Sequence, residues 1–309
     1  MGTVHKLIDR HGVTIARSMA DSKADVLAVN AAASIMGEEE TRLGIVHAGF
    51  AMTNLPHKRI DEPLWRRKGI STTLLVESGR TESGEWVGIP FGSMARLILL
   101  YLQTQAIRTG SPEVELGSSM KAWMEAMGLQ RGGATYRAVS EQARRISRCR
   151  LTFFADAAGG QAWENGAFVR GGFSLPESGE FGDQPRLWVD RVRLDDSFWR
   201  SLQAHPVPVR EEAIQAISTR SVAIDLYIWL AYRLHALSKP APITWLALHA
   251  QFGAGFKLVK HMKPKLLEAL QLALAVYPEA RVDVTETGLT LHPSAPAVPK
   301  ATARRLGLT

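Results

Sequence analysis

The pattern of apolar and polar positions predicts the same order of elements twice along the chain. In residues 92–173 an apolar helix is followed by a short strand, a short helix ending in glycine, a long helix and two strands. Residues 222–292 repeat this order, with Gly253 closing the short helix. The repeat lies in pattern and spacing rather than in residue identity. This is the order of a winged helix, so we predict an α+β, mainly helical fold with two tandem winged-helix (helix-turn-helix plus β-hairpin wing) domains.

These patterns divide the chain into five predicted parts. They are a poorly ordered or partly helical N-terminal region over 1–50, a first winged-helix domain with a preceding β-hairpin over 51–175, a linker with a strand over 176–215, a second winged-helix domain over 216–293, and a basic disordered tail over 294–309. The preceding hairpin joins STTLLVE to EWVGI through the turn signal Ser78-Gly79-Arg80. Its exposed edge suggests β-pairing between two copies, so we expect a homodimer formed through the first domain.

Composition narrows the class of protein. The 309 residues carry a net charge of +7 and include one cysteine, Cys149, which excludes an intramolecular disulfide and a cysteine-based metal cluster. No apolar run approaches a membrane span and the first residues do not form a signal peptide, so we expect a cytoplasmic protein with no membrane partner. A basic excess raises the prospect of a nucleic-acid partner only modestly, and its placement matters more.

The first basic cluster lies on the long helix of the first repeat. Residues 131–150 hold six arginines and one acid. The apolar positions of this helix share one face: Ala138, Val139, Ala143 and Ile146. Arginine suits bidentate contacts to guanine and to phosphate. A solvated basic face is the competing interpretation, but the preceding short helix and glycines favour DNA contact by Arg131, Thr135, Tyr136, Arg137, Ser140, Arg144, Arg145 and Arg148.

The second cluster opens the long helix of the second repeat. Four lysines fall within residues 257–265 with no acid beside them to neutralise them. Because proline suits the first turn of a helix, Pro264 places the predicted start near Met262–Lys263. A helix N-terminus also attracts phosphate. A solvated helix end is the alternative to the predicted DNA contacts, which are Lys257, Lys260, His261, Lys263 and Lys265.

Signals of enzyme chemistry are missing from the sequence. It contains no G-x-x-x-x-G-K-[ST], no H-E-x-x-H, no G-x-S-x-G and no His-hydrophobe-His pair. Neighbouring arginines would favour a reactive thiolate at Cys149, but without a histidine partner we interpret this residue as packing at a helix end. We therefore expect no catalytic residue, no metal site, no cofactor and no enzymatic activity.

Two stretches resemble plasmid-encoded RepA-type replication initiators. In residues 88–128 the similar features are P-F-G before an apolar helix, T-x-A-I-R-T-G-S at its end, and L-G-x-S opening the next helix. Later, AIDLYIWLAYRLHAL and ITWLALHAQFG are followed by YPEA and GLTLHPSAPAVPK. These motifs occur in the expected order, within about 88–150 and 220–300.

The resemblance implies a function that the residue pattern alone does not. Such initiators bind repeated sites (iterons) in the double-stranded DNA of a plasmid origin, promote origin opening and recruit the host initiator and replicative helicase. They are commonly dimers that also bind their own promoter. The alternatives are a tandem winged-helix transcriptional regulator or autorepressor, and a DNA nickase, against which the missing histidine pair argues. The target DNA sequence and the oligomeric state stay open.

Overall fold

A computed structural model describes residues 3–38, 41–69, 71–157, 160–171 and 190–304. Residues 176–189 of the predicted linker and residues 305–309 of the predicted tail lie outside these ranges. The helices are α1 Thr3–Ser18, α2 Lys23–Met36, α3 Ala48–Met52, α4 Gly92–Thr109, α5 Met120–Ala126, α6 Gly133–Arg148, α7 Asp196–Ala204, α8 Glu211–Ala216, α9 Ser221–Leu234, α10 Trp245–Phe252, α11 Val259–Ala275 and α12 Lys300–Arg304. The strands are β1 Leu43–His47, β2 Leu64–Lys68, β3 Thr72–Glu77, β4 Glu113–Glu115, β5 Arg150–Ala157, β6 Gly160–Ala167, β7 Val169–Arg170, β8 Arg191–Leu194, β9 Pro206–Arg210, β10 Ala241–Thr244, β11 Val282–Val284 and β12 Gly288–Leu291.

The chain forms two compact units, and the first of them contains both ends of the chain. Unit 1 combines Met1–Asn54 with Pro206–Thr309, and unit 2 is Leu55–His205. This division differs from the predicted one, in which residues 1–50 stood apart. Hydrophobic periodicity along the sequence shows which face of an element is apolar, but it does not show which distant element will cover that face.

The buried helix α9 is the centre of unit 1. It buries every residue from Ala223 to Ala231, and in this run Asp225 is the one charged residue. Helices α3 and α11 and strand β9 pack around it. A helix that is apolar on all sides is stable only inside a core, so the neighbours of α9 have to come from both parts of the chain.

The N-terminal segment joins unit 1 through strand pairing and helix packing. Strand β1 runs antiparallel to β9, from Leu43 opposite Arg210 to His47 opposite Pro206. Helix α2 packs its small apolar face on α8 and α11. The buried carboxylate of Glu212 accepts from the Arg42 backbone N–H at 2.6 Å and from Arg42 Nε at 2.9 Å. Residues 3–36 are thus mainly helical, and the charge pair fixes the start of β1 on α8.

The second predicted repeat has its elements in the expected order within unit 1. The elements follow one another as α9, β10, α10, α11, β11 and β12. Strand β10 pairs with β12 in a three-stranded sheet of order β10-β12-β11. The chain after this sheet is packed where a disordered tail was predicted from residue 294. Ala297 and Val298 are buried, and the Ala297 carbonyl accepts from Arg210 Nε at 2.6 Å. The predicted tail therefore begins too early, because the buried Ala and Val side chains continue the core.

Unit 2 is built around the buried helix α4, which packs on α6 and β4. Its Arg96 is buried and donates to the backbone carbonyls of Leu55 and Gly92. These bonds hold the loop before β2 against the start of α4. Bonds from a buried charge to backbone oxygens offset part of the cost of removing that charge from water.

The sheets of unit 2 correct one predicted element. Strand β3 pairs with β2 on one side and with β5 on the other, in a sheet of order β2-β3-β5-β6. The predicted hairpin of STTLLVE with EWVGI is therefore wrong. The EWVGI run instead pairs with the residues after β3, through the Arg80–Trp86 bridge and a hydrogen bond from the Val87 N–H to the Gly79 carbonyl at 3.0 Å. Because β3 is a central strand of this sheet, it has no free edge for pairing with a second copy. Strand β4 pairs with β8 rather than with the β5–β6 hairpin.

Across the described ranges, no helix combines the length and the apolar character needed to cross a bilayer.

Half-buried His57 makes the stability of unit 2 depend on pH. Burial, and then the nearby charges of Arg96 and Arg67, lower the pKa of His57 to about 2 from the usual 6.5. The unfolded chain takes up this proton below pH 6.5 and the folded unit does not. The contribution of neutral His57 to the free energy of unfolding is therefore fully present above that pH. Below it, this contribution falls by about 1.4 kcal/mol per pH unit.

Urea unfolding of the protein and of His57→Gln, followed between about pH 7.5 and pH 5, checks this expectation. The unmodified protein loses stability more steeply on acidification than the variant. Parallel pH dependences for the two proteins would contradict the assignment.

Candidate nucleic-acid interface

The first candidate surface is built by the short helix α5 and the long helix α6. Ser119 caps α5 by accepting from the Ala122 N–H, and Gly128, with φ +69°, ends it as predicted. Helix α6 then begins at Gly133 without a side-chain cap, and its first two residues, Gly133 and Ala134, are exposed. The backbone N–H groups at the start of α6 are thus open to solvent, which suits an anionic partner.

Helix α6 places its arginines opposite its buried face. Val139, Ala143 and Ile146 are buried, as the spacing predicts. Arg137 and Arg148 are exposed on the opposite side. The remaining predicted contacts with partial exposure are Thr135, Tyr136 and Arg144. By helical spacing Arg137, Arg144 and Arg148 share the side opposite the buried face, whereas Thr135 and Tyr136 lie on the side of Val139 in the first turn.

Two residues of the predicted set do not lie on this surface. Arg145 is 3% exposed; its Nη1 donates to the Ile89 carbonyl at 3.0 Å and its Nη2 to Glu141 at 2.9 Å. The Ser140 hydroxyl is also shielded from solvent. We remove both from the predicted contacts. Arg145 follows Arg144 directly, and a step of one residue turns a helix by about 100°, from the exposed side toward the core.

Two further arginines are engaged within unit 2. Arg131 forms an ion pair with Glu125 of α5, and Arg148 donates to the Arg80 carbonyl at 3.0 Å. Both guanidinium groups remain exposed, so they are oriented by these bonds rather than withdrawn. The free positive charge of the cluster is thus smaller than the arginine count suggests.

The second candidate surface is the start of α11, which follows α10 after a tight turn. A Cβ on Gly253 would lie 2.5 Å from the His249 carbonyl oxygen, so the turn requires glycine. His249 Nε2 lies 2.8 Å from the Phe256 carbonyl and holds the loop. Helix α11 begins at Val259, earlier than the predicted start. Pro264 therefore lies in the second turn of α11, where it removes one backbone N–H donor and its ring crowds the carbonyl of Lys260.

The lysines of α11 differ in their surroundings. Lys257, Lys260 and His261 are exposed, and within the described part of the chain no side-chain partner holds them. Lys263 Nζ lies 4.6 Å from the centre of the Trp245 ring. Lys265 pairs with Glu268 at 3.0 Å, which corrects the prediction that no acid neutralises this cluster. Among the lysines within α11, Lys260 is therefore the one best placed to contact phosphate at the start of the helix.

Trp245 is a supporting residue that the sequence did not reveal. Its indole N–H donates to the Glu286 carbonyl at 2.9 Å, and its ring faces Lys263. The start of α10, the start of α11 and the turn of the β11–β12 hairpin therefore meet at one edge of unit 1. Only the apolar context of Trp245 was visible in the sequence, and this context indicates a core position.

Other chemistry finds little support in the described residues. They contain no group of three or more His, Cys, Asp or Glu side chains that could hold a metal ion. Cys149 is buried, and burial raises the pKa of its thiol, which opposes formation of a thiolate. This environment agrees with a packing role for Cys149.

Comparison with solved structures supports the fold. A selenomethionine derivative of domains 2 and 3 of RctB matches with a TM-score of 0.50 and 10% sequence identity, over 82% of this chain and 97% of the RctB chain. Another crystal structure of RctB domains 2–3 covers 78% of this chain and 93% of its own, with a TM-score of 0.39 and 8% identity. No curated protein matches the chain in sequence.

The family model of plasmid-encoded RepA proteins matches residues 89–245. This match covers just over half of the 309 residues, and it includes helices α4 to α9 and therefore the whole of the first candidate surface. It also confirms the resemblance seen in the sequence motifs. The chain belongs to the family of plasmid-encoded RepA proteins.

Proposed function

We propose that this protein is a plasmid replication initiator that binds double-stranded DNA at a plasmid origin through α6 and α11. In this proposal each helix is the recognition helix of a winged-helix domain, and each reads one part of a repeated site. The observation that carries the proposal is α6, a long helix with a buried apolar face and arginines on the opposite, solvent-facing side. A short helix braces it, as in helix-turn-helix proteins that place the second helix in the major groove.

Electrostatics favours DNA as the partner of both surfaces. The chain carries a net charge of +7, and cations stand at the start of α11 and along α6. Arginine reads guanine edges and clamps phosphate, whereas lysine acts mainly as a point charge. We therefore assign base reading in the first unit to the arginine face. In the second unit the lysines hold the backbone and their neighbours read the bases.

Family membership extends the proposal beyond DNA binding. The protein binds iterons, promotes origin opening without an enzymatic activity of its own, and recruits the host initiator and replicative helicase. A homodimer that represses its own promoter is part of the same proposal. The competing function is a tandem winged-helix transcriptional regulator, which the same two surfaces would serve.

Footprinting of the purified protein on its own plasmid origin distinguishes the two functions. An initiator protects several direct repeats beside an A·T-rich stretch, and a regulator protects one inverted repeat at a promoter. Absence of any protected region on origin DNA would overturn the proposal.

Charge reversal on α6 should weaken origin binding by well over tenfold without lowering thermal stability. Arg137→Glu and Arg144→Glu each place an acid on the solvent-facing side of α6, where it repels phosphate. The affinity of the unmodified protein should fall steeply with salt, by about 0.9 in log K per unit of log salt for each phosphate neutralised. Each variant should lose about one such unit of slope.

Fluorescence anisotropy titrations at several salt concentrations measure both effects. Arg200→Glu makes the same charge change at an exposed position of α7 in the same unit and serves as the matched control. Equal losses in all three variants would mean that net charge, not the α6 face, drives binding.

Replacing Arg145 should damage stability rather than DNA contact. Arg145→Ala leaves the Ile89 carbonyl without its donor and Glu141 without its cation. We expect a loss of about 2 kcal/mol in the free energy of unfolding. Urea denaturation and DNA titration of the folded fraction separate the two effects. Full stability combined with lost DNA affinity would return Arg145 to the contact surface.

A further inference from the structure

Two leucines stand exposed at the edge of unit 1 where α10 and α11 begin. Leu246, the second residue of α10, is 71% exposed, which is the largest value for any big hydrophobic side chain in the described ranges. Leu258 precedes α11 and is 49% exposed. Isolated exposed apolar residues are ordinary on protein surfaces. Leu246 and Leu258 differ from such isolated residues because a cation lies near each of them. Lys257 precedes Leu258, and Lys263 contacts Trp245, the residue before Leu246.

Local stability does not explain Leu258. It occupies the N-cap position of α11 and makes no side-chain capping bond. Ser, Thr, Asp or Asn at this position would satisfy a free N–H of the first turn, and leucine cannot. Since half of its side chain faces solvent, packing in the core does not account for it either. The N-cap position of α11 therefore has neither a polar side chain that caps the helix nor a fully buried leucine.

The contact between Trp245 and Lys263 brings the two helix starts together. Trp245 also bonds through its backbone N–H to the Thr287 carbonyl at 2.9 Å, which fixes the start of α10 on the hairpin turn. Thr244 caps α10 by accepting from the Ala247 N–H. Leu246 is thus held on a capped, anchored helix start. Acids near these helix starts include Glu286 in the hairpin turn and Glu268, which pairs with Lys265 on α11.

We infer that Leu246 and Leu258 read thymine by packing on its C5-methyl group in the major groove. This inference rests on the proposed function, since it needs duplex DNA at the start of α11. The thymine methyl is the apolar group that base edges present in that groove, and apolar side chains recognise it by contact. Lys257, Lys260 and Lys263 attract the flanking phosphates. Lysines supply affinity with little discrimination, and the leucines supply the base preference.

Thymine-to-deoxyuracil exchange removes the methyl group and leaves every base-pairing atom in place. A duplex of one footprinted origin repeat is made with each thymine replaced in turn. The protein should lose about three- to fourfold in affinity at one or two of these positions. Leu246→Ala and Leu258→Ala should each bind the thymine duplex more weakly, and each should become insensitive to the exchange at its own position.

The matched control is Leu64→Ala, because Leu64 in unit 2 is also 49% exposed. It should keep the full difference between thymine and deoxyuracil. Tight binding of the repeat with no effect of the exchange at any position would overturn the inference and leave the proposed function standing. No binding of any origin repeat would overturn both.

Sedimentation equilibrium of the same variants tests the other use of an exposed leucine. If Leu246→Ala or Leu258→Ala changes the oligomeric state while the deoxyuracil effect persists unchanged, the leucines belong to an interface between copies. The inference is then wrong.

Discussion

The pairing of β1 with β9 is the constraint on which unit 1 depends. It joins residues 43–47 to residues 206–210 and so brings the N-terminal segment to the second half of the chain. Strand β1 is buried along its whole length and packs on α3, and β9 buries alternate residues and packs on α9. The backbone N–H and C=O groups of a buried strand need hydrogen-bond partners within the protein. Strands β1 and β9 supply these partners to each other. Helix α2, which precedes β1, packs on α8 and α11 in the same unit.

The sequence predicts individual elements well and their long-range partners poorly. Periodicity located α6, α9 and α10 closely, because apolar spacing and glycine ends are local signals. It placed β3 in a hairpin with the next apolar run, whereas the structure pairs it with β2 and β5. Strand partners depend on which surfaces the helices leave open, and a single sequence does not show those surfaces.

The candidate site shows the same division between local and distant effects. Charge clustering identified the two long helices, and spacing identified the exposed side of α6. Neither charge clustering nor spacing identified Arg145 as buried. Its partners, the Glu141 carboxylate and the Ile89 carbonyl, come close to it only on folding. Lys263 likewise faces a ring eighteen positions earlier in the chain. Counting charges along a sequence therefore overstates the surface that is free for a polyanion.

The chain leaves unit 1 after Asn54 and re-enters it at Pro206. Unit 2 is therefore a single continuous insertion between two segments that already pair with each other through β1 and β9. A continuous segment of this kind can be exchanged as one piece by recombination at its two ends. Under the proposed function, such an exchange would replace the DNA-contacting surface on α6 and preserve the packing around α11.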